Sequence, residues 1–138
     1  MLSVVIDTNV IISALRSNQG ASFRLVSLIG TGKFNISLSV PLLLEYESVS
    51  KRKRFGHLID QDIDDFLNYL CKVADKRDIF FLWRPFLKDP KDDMILELAV
   101  EADCEYIITY NLGDFRGIDH FGLKALTPKE FLIKIGEL

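Results

Sequence analysis

The run Val4-Val5-Ile6 is apolar at every position, not at every second one. A strand of that kind has both faces covered, as in a parallel sheet flanked by helices. Asp7, Thr8 and Asn9 interrupt the apolar stretch before Val10, Ile11 and Ile12 resume it. Further strand-like runs follow: "FNISLS" (34–39) alternates, "DIFFLW" (78–83) and "GLKALT" (122–127) are short, and "EYIITYN" (105–111) reads as buried. Between them lie segments of helical spacing. "VIISALR" starts the first, and Phe23, Val26 and Ile29 mark a second that Gly30 or Gly32 ends. Pro41 opens a third, running through "LLLEYESVSKRKR". In "QDIDDFLNYLCKVAD", Ile63, Phe66, Leu67 and Leu70 share one face. "DDMILELAVEAD" and "PKEFLIKIGEL" complete the set. Strands alternating with helices predict an α/β fold with a mainly parallel five-stranded sheet and right-handed crossovers.

At 138 residues the chain is expected to be one domain, 1–138, able to bury a core without disulfides. No apolar stretch nears the roughly 18 residues of a membrane span. Asp7 and Asn9 break the only apolar N-terminal region, so no signal-peptide pattern is expected. The cysteines, Cys71 and Cys104, follow no metal-ligand spacing, and a reduced, cytoplasmic compartment is the expectation. The net charge of −3 gives no overall positive field. A cation bound among acidic side chains can still present a positive centre to phosphate.

In open α/β sheets, sites form beyond the carboxyl ends of the strands. Asp7 follows the first strand, and Asn111 and Asp114 follow the fourth. Asp89, Asp92 and Asp93 stand at the start of the helix before it, and Glu45 stands one turn past Pro41. Acids from separate elements meeting at one rim repel each other, and a hard divalent cation relieves that repulsion. One Mg²⁺ or Mn²⁺ ion, or two, would suit phosphodiester hydrolysis. Each residue also has a plainer reading. Asp7, Thr8 or Asn9 could cap the first helix, Asp92 and Asp93 could complement a helix dipole, and Glu45 could be a solvated turn. Asn111 and Asp114 could be turn residues. The joint placement favours the metal.

The blocks "VVIDTNVIISAL", "PLLLEYESV" and "DPKDDMILELAVEADCEYIITYNLGDF" resemble, in order and spacing, the motif blocks of the PIN-domain family, in particular its prokaryotic toxin–antitoxin (VapC-like) branch. The resemblance implies a three-layer α/β/α sandwich and a Mg²⁺- or Mn²⁺-dependent ribonuclease, the toxin of a toxin–antitoxin pair. Its site residues would be Asp7, Glu45, Asp92 or the adjacent Asp93, and Asn111, where many relatives carry aspartate. Asp114 would supply the missing charge. Thr8, Asn9 and Thr109 would support the site. RNA, an antitoxin protein and a second copy of the chain would be its partners. Asn111 also leaves open a catalytically silent module that binds RNA or protein.

Lys51, Arg52, Lys53 and Arg54 are candidates for RNA phosphate contact, or else a solvated helix end. Tyr46 and Tyr110 flank the site and could stack on a base. Phe80, Phe81 and Trp83 are expected in the core, and His57 and His120 at the surface. A receiver domain would want an acidic pair after the first strand, and a haloacid-dehalogenase phosphatase would want Asp-x-Asp there. A Rossmann protein would want a glycine-rich turn, and "DTN" meets none of the three.

Overall fold

The computed structural model describes residues 1–138. Five strands, β1 (Ser3–Ile6), β2 (Asn35–Leu38), β3 (Asp75–Lys76), β4 (Tyr106–Ile108) and β5 (Lys124–Leu126), form one sheet in the order β3-β2-β1-β4-β5. Every pairing is parallel, with Val5 opposite Ile107 and Ser3 opposite Asn35. Six helices connect and flank it: α1 (Thr8–Arg16), α2 (Ala21–Ser27), α3 (Val40–Lys53), α4 (Asp60–Val73), α5 (Pro90–Glu101) and α6 (Pro128–Lys134). Consecutive residues of the central strands, Val4 with Val5 and Ile107 with Ile108, are all fully buried, so helices cover both faces of the sheet. This is the three-layer α/β sandwich expected from the sequence. None of the helices is long and apolar enough to cross a membrane.

The chain winds outward from β1 to β2 and β3, then returns to the other side of β1 as β4 and β5. The order therefore reverses between β1 and β4, and a crevice opens there beyond the strand ends. Local signals mostly hold. Ser39, one residue earlier than the proline suggested, caps α3 by accepting from the Leu42 N–H at 3.3 Å. Thr127 and Glu130 form a capping box at α6. α2 stops at Ser27, short of the glycines expected to end it. Gly30 (φ 83°) turns the chain toward β2, and a Cβ there would strike the Tyr69 hydroxyl, which donates to the Ile29 carbonyl at 3.0 Å.

One predicted strand is corrected. "DIFFLW" lies outside the sheet: β3 is only Asp75–Lys76, and the last link to β2 is the Arg77 N–H donating to the Leu38 carbonyl at 2.8 Å. Residues 78–83 then run free of the sheet. The expected core aromatics Phe80, Phe81 and Trp83 are accordingly exposed, by 75%, 69% and 41%. The end of the apolar run is held by a side chain of α5 and not by a neighbouring strand. Glu97 of α5 accepts from the Trp83 N–H at 2.9 Å and pairs with Arg84 at 2.9 Å.

Candidate metal centre

Asp7 is the junction between β1 and α1. Its backbone N–H donates to the Ile108 carbonyl at 2.9 Å, continuing the β1–β4 ladder one step past the strand. Its side chain makes no capping hydrogen bond to α1. Oδ2 instead accepts from the Thr109 hydroxyl at 2.8 Å, across the crevice where strand order reverses. The hydrogen bond this carboxylate makes thus crosses to β4 instead of capping α1.

Thr109, at the end of β4 and fully buried, organises the rim. Its oxygen also accepts from the Asn111 backbone N–H at 3.0 Å and from Asn9 Nδ2 at 3.5 Å. Asn9 in turn accepts from the Tyr110 N–H at 3.3 Å. Asn9 and Thr109 thus tie the ends of β1 and β4 into one hydrogen-bonded network with Asp7.

Glu45 reaches the same rim from α3. The Thr8 hydroxyl donates to Glu45 Oε2 at 2.6 Å, and Lys91 Nζ lies 3.9 Å from Oε1. The next residue sets this register: Tyr46 is buried, and its hydroxyl donates to the Ile6 carbonyl at the end of β1. Tyr46 is a structural pin and not a stacking platform. Burial, with Asp7 and Glu45 beside it, holds its phenol protonated.

Asp92 and Asp93, adjacent in the first turn of α5, separate cleanly. Asp93 is buried, and its Oδ1 accepts from the Leu87 N–H at 2.8 Å and the Phe86 N–H at 3.3 Å. It anchors the loop before the helix. Asp92 is half-buried and faces the other acids. Desolvation, followed by Asp7, Asp89, Asp114 and Glu45, pushes its carboxyl up to about 7. Asp7 is raised as well, by burial foremost and by Glu45 and Asp114, against the lowering effect of the Thr109 hydroxyl and the Thr8 backbone. Asp114 reaches this group from the exposed 3₁₀ turn Leu112–Phe115, which Asn111 precedes. The Asn111 side chain makes no capping bond.

Four carboxylates, Asp7, Glu45, Asp92 and Asp114, therefore share one field at one rim, with Asn111 beside them. The donors are all oxygen, as a hard divalent cation requires. No three Asp, Glu, His or Cys side chains stand close enough together to hold a metal ion by themselves. An open set suits Mg²⁺ or Mn²⁺, which keep several waters and take one or two carboxylates. His57 and His120 are exposed, as expected.

The basic run splits. Lys51 is paired with Asp64 at 2.7 Å and Glu47 at 3.3 Å, and Arg54 lines a separate groove with Phe55 and Leu58. Arg52 is exposed, and Lys53 alone lines a groove with Thr8 and Asn9. Reasoning from sequence missed Arg16 in that groove and Lys91 beside Glu45. Arg16 is simply the last residue of "VIISALR", and the only hint for Lys91 is its place inside "DPKDD".

The chain is similar to two solved structures: VapBC2 from Rickettsia felis bound to a DNA fragment from their promoter, and VapBC-1 from nontypeable Haemophilus influenzae. The first has TM-score 0.63 at 14% identity, covering 91% of this chain and 98% of that one. The second has TM-score 0.63 at 15% identity, covering 93% and 99%. Likeness at such identity speaks for the fold. A search of curated protein sequences gives no match. The PIN domain family model matches residues 3–113, which spans β1 through the turn bearing Asn111, and the chain belongs to the PIN domain family.

Proposed function

We propose that the chain is a Mg²⁺- or Mn²⁺-dependent endoribonuclease and the toxin component of a toxin–antitoxin pair. The observation that carries the nuclease reading is the convergence of Asp7, Glu45, Asp92 and Asp114 at the β1–β4 crevice, each within the electrostatic reach of others. The toxin reading draws support from the similarity to two VapBC structures. An antitoxin partner and a homodimer belong to the same proposal, as does a cytoplasmic setting.

Asp7, Glu45 and Asp92 would hold the ion, directly or through water, with Asp114 and the Asn111 carbonyl oxygen as further ligands. A bound ion supplies charge neutralisation and polarisation of a phosphate and a water. The chain's own part is positioning. Thr109 fixes the Asp7 carboxylate and Thr8 fixes Glu45, so both are preorganised before substrate arrives. Asp92, with its carboxyl near neutrality, is suited to take or return a proton at its carboxylate oxygen. Asp93 is spoken for by the Phe86 and Leu87 amides, which favours Asp92 as the acid of this pair.

The test is cleavage of single-stranded RNA by purified protein with Mn²⁺ or Mg²⁺, alongside Mn²⁺ titration calorimetry. Cleavage that requires metal and is lost in Asp7→Asn supports the reading. Absence of both cleavage and metal binding overturns it, and RNA binding without cleavage would favour the silent module that Asn111 leaves open.

A further inference from the structure

A groove of about 450 Å³ runs beside the acidic rim, between α1 and α3. Its volume is within the range of roughly 300–1,000 Å³ typical of ligand sites. At one end lie Thr8 and Asn9, the residues that bond Glu45 and Thr109. At the other lie Arg16 and Lys53, the last residues of their helices. Ser13 and Tyr110 line it between. The Tyr110 hydroxyl is tethered to Ser22 Oγ, which holds a ring that is still 45% exposed.

Arg16 and Lys53 are both exposed and make no ion pair or hydrogen bond through their side chains within the chain. Lys51, two residues before Lys53, is by contrast neutralised by two carboxylates. Two unpaired cations thus close a groove whose other end is lined by Thr8, the partner of Glu45, and by Asn9, the partner of Thr109. A linear polyanion attached at the acids and continuing along α1 would reach both. Thr8 and Arg16 are eight residues apart, which is about 12 Å along a helix axis. The phosphate held by Arg16 and Lys53 is then a neighbour of the one at the acids, not the same one.

We infer that this groove is the path of the substrate strand. Arg16 and Lys53 grip a backbone phosphate flanking the scissile one, and Tyr110 offers its ring to a base on the way. The inference rests on the nuclease reading above for its direction but not for its test. RNA is favoured over an acidic peptide because the groove continues into the metal site through shared residues, and because stacking on tyrosine accepts any base.

The measurement is fluorescence anisotropy of a labelled single-stranded RNA oligonucleotide in EDTA, so that neither metal nor cleavage enters. Arg16→Gln and Lys53→Gln should each weaken binding about tenfold and reduce the slope of log K against log salt by about one. Lys72→Gln, which removes an equal charge from α4 outside the groove, should leave both quantities at the wild-type value. Thermal melts check that all three variants fold. Equal affinity for wild type and the two groove variants overturns the inference. So does an equal loss in Lys72→Gln, which would report net charge alone, or RNA failing to bind where an acidic peptide does. If the wild type lacks metal-dependent cleavage but the groove variants still lose affinity, the nuclease reading fails and the groove stands.

Discussion

The Thr109 hydroxyl donates to Asp7 Oδ2 at 2.8 Å, joining the ends of β4 and β1 across the point where the strand order reverses. Both residues are buried, and the same oxygen accepts from the Asn111 backbone. Thr109→Val keeps the shape and removes donor and acceptor together. The expected outcome is a loss of about 1–3 kcal/mol in stability, because the buried Asp7 carboxylate loses its partner and the Asn111 N–H loses its acceptor. The Asp7 carboxyl moves further up, since Thr109 is what lowers it. Mn²⁺ affinity measured across pH should shift its midpoint in the alkaline direction, and Thr109→Ser should restore both properties.

Asp92 gives a pH dependence with a definite sign. Its carboxyl is raised from 3.8 to about 7 in the folded chain, so the folded state holds a proton that the unfolded state has released. Stability from this group is complete below about pH 4 and declines as pH rises through about 7. Asp7, also raised, acts in the same sense. The metal-free protein should therefore melt higher at mildly acidic pH than at mildly alkaline pH. The difference is on the order of 1 kcal/mol or somewhat more once solvent screening of a half-exposed acid is allowed for. Asp92→Asn should remove most of that difference and raise the alkaline melting temperature. Adding Mn²⁺ should do the same for the wild type and not for the variant. A melting temperature flat with pH, or rising into the alkaline range, would contradict the acid cluster.

The sheet was legible because Val4-Val5-Ile6 and Ile107-Ile108 carry their burial on every residue. Asp7 was legible as an interruption where the apolar pattern had no need of one. What distinguishes Asp92 from Asp93 is not in the local sequence. Both are first-turn acids, and only the return of the Phe86–Leu87 backbone over the helix start decides which carboxylate is consumed. The segment "DIFFLW" failed for a related reason. Its composition suits a strand, but the pairing surface beyond β2 ends after two residues, and Glu97, fourteen residues on from Trp83, holds the chain in another path. Arg16 was hidden because a helix-terminal arginine satisfies a dipole whether or not it also meets a ligand.

The division between the two adjacent acids is directly testable. Asp93→Ala leaves two backbone N–H groups near a buried site without their acceptor, so a loss of about 2–3 kcal/mol is expected. Metal affinity at a temperature where the variant is folded should change little. Asp92→Ala should reverse the pattern, with stability held or improved and Mn²⁺ affinity reduced at least about tenfold. Calorimetry for the ion and thermal melts for the fold separate the two. Loss of metal affinity in Asp93→Ala, with none in Asp92→Ala, would exchange their roles.

Glu97 offers the last case, in a part of the molecule away from the acids. It is 1% exposed, accepts from the Trp83 N–H at 2.9 Å, and takes a bidentate contact from Arg84, whose side chain is about half exposed. A buried carboxylate is tolerated only while such partners remain. Arg84→Ala strands the charge, whereas Glu97→Ala removes the charge and strands the Trp83 amide and the arginine, which can turn to water. Both should destabilise, Glu97→Ala by about 2–3 kcal/mol. Both should also release the exposed run Phe80–Trp83 from α5. Limited proteolysis should then cut within residues 77–87 faster than in the wild type, with the rest of the chain protected. Replacing both partners by methionine should recover part of the melting temperature, because an apolar pair leaves no buried charge to satisfy. Recovery of the melting temperature without recovery of protection would show that Glu97 holds this segment through the Trp83 amide as well as through Arg84.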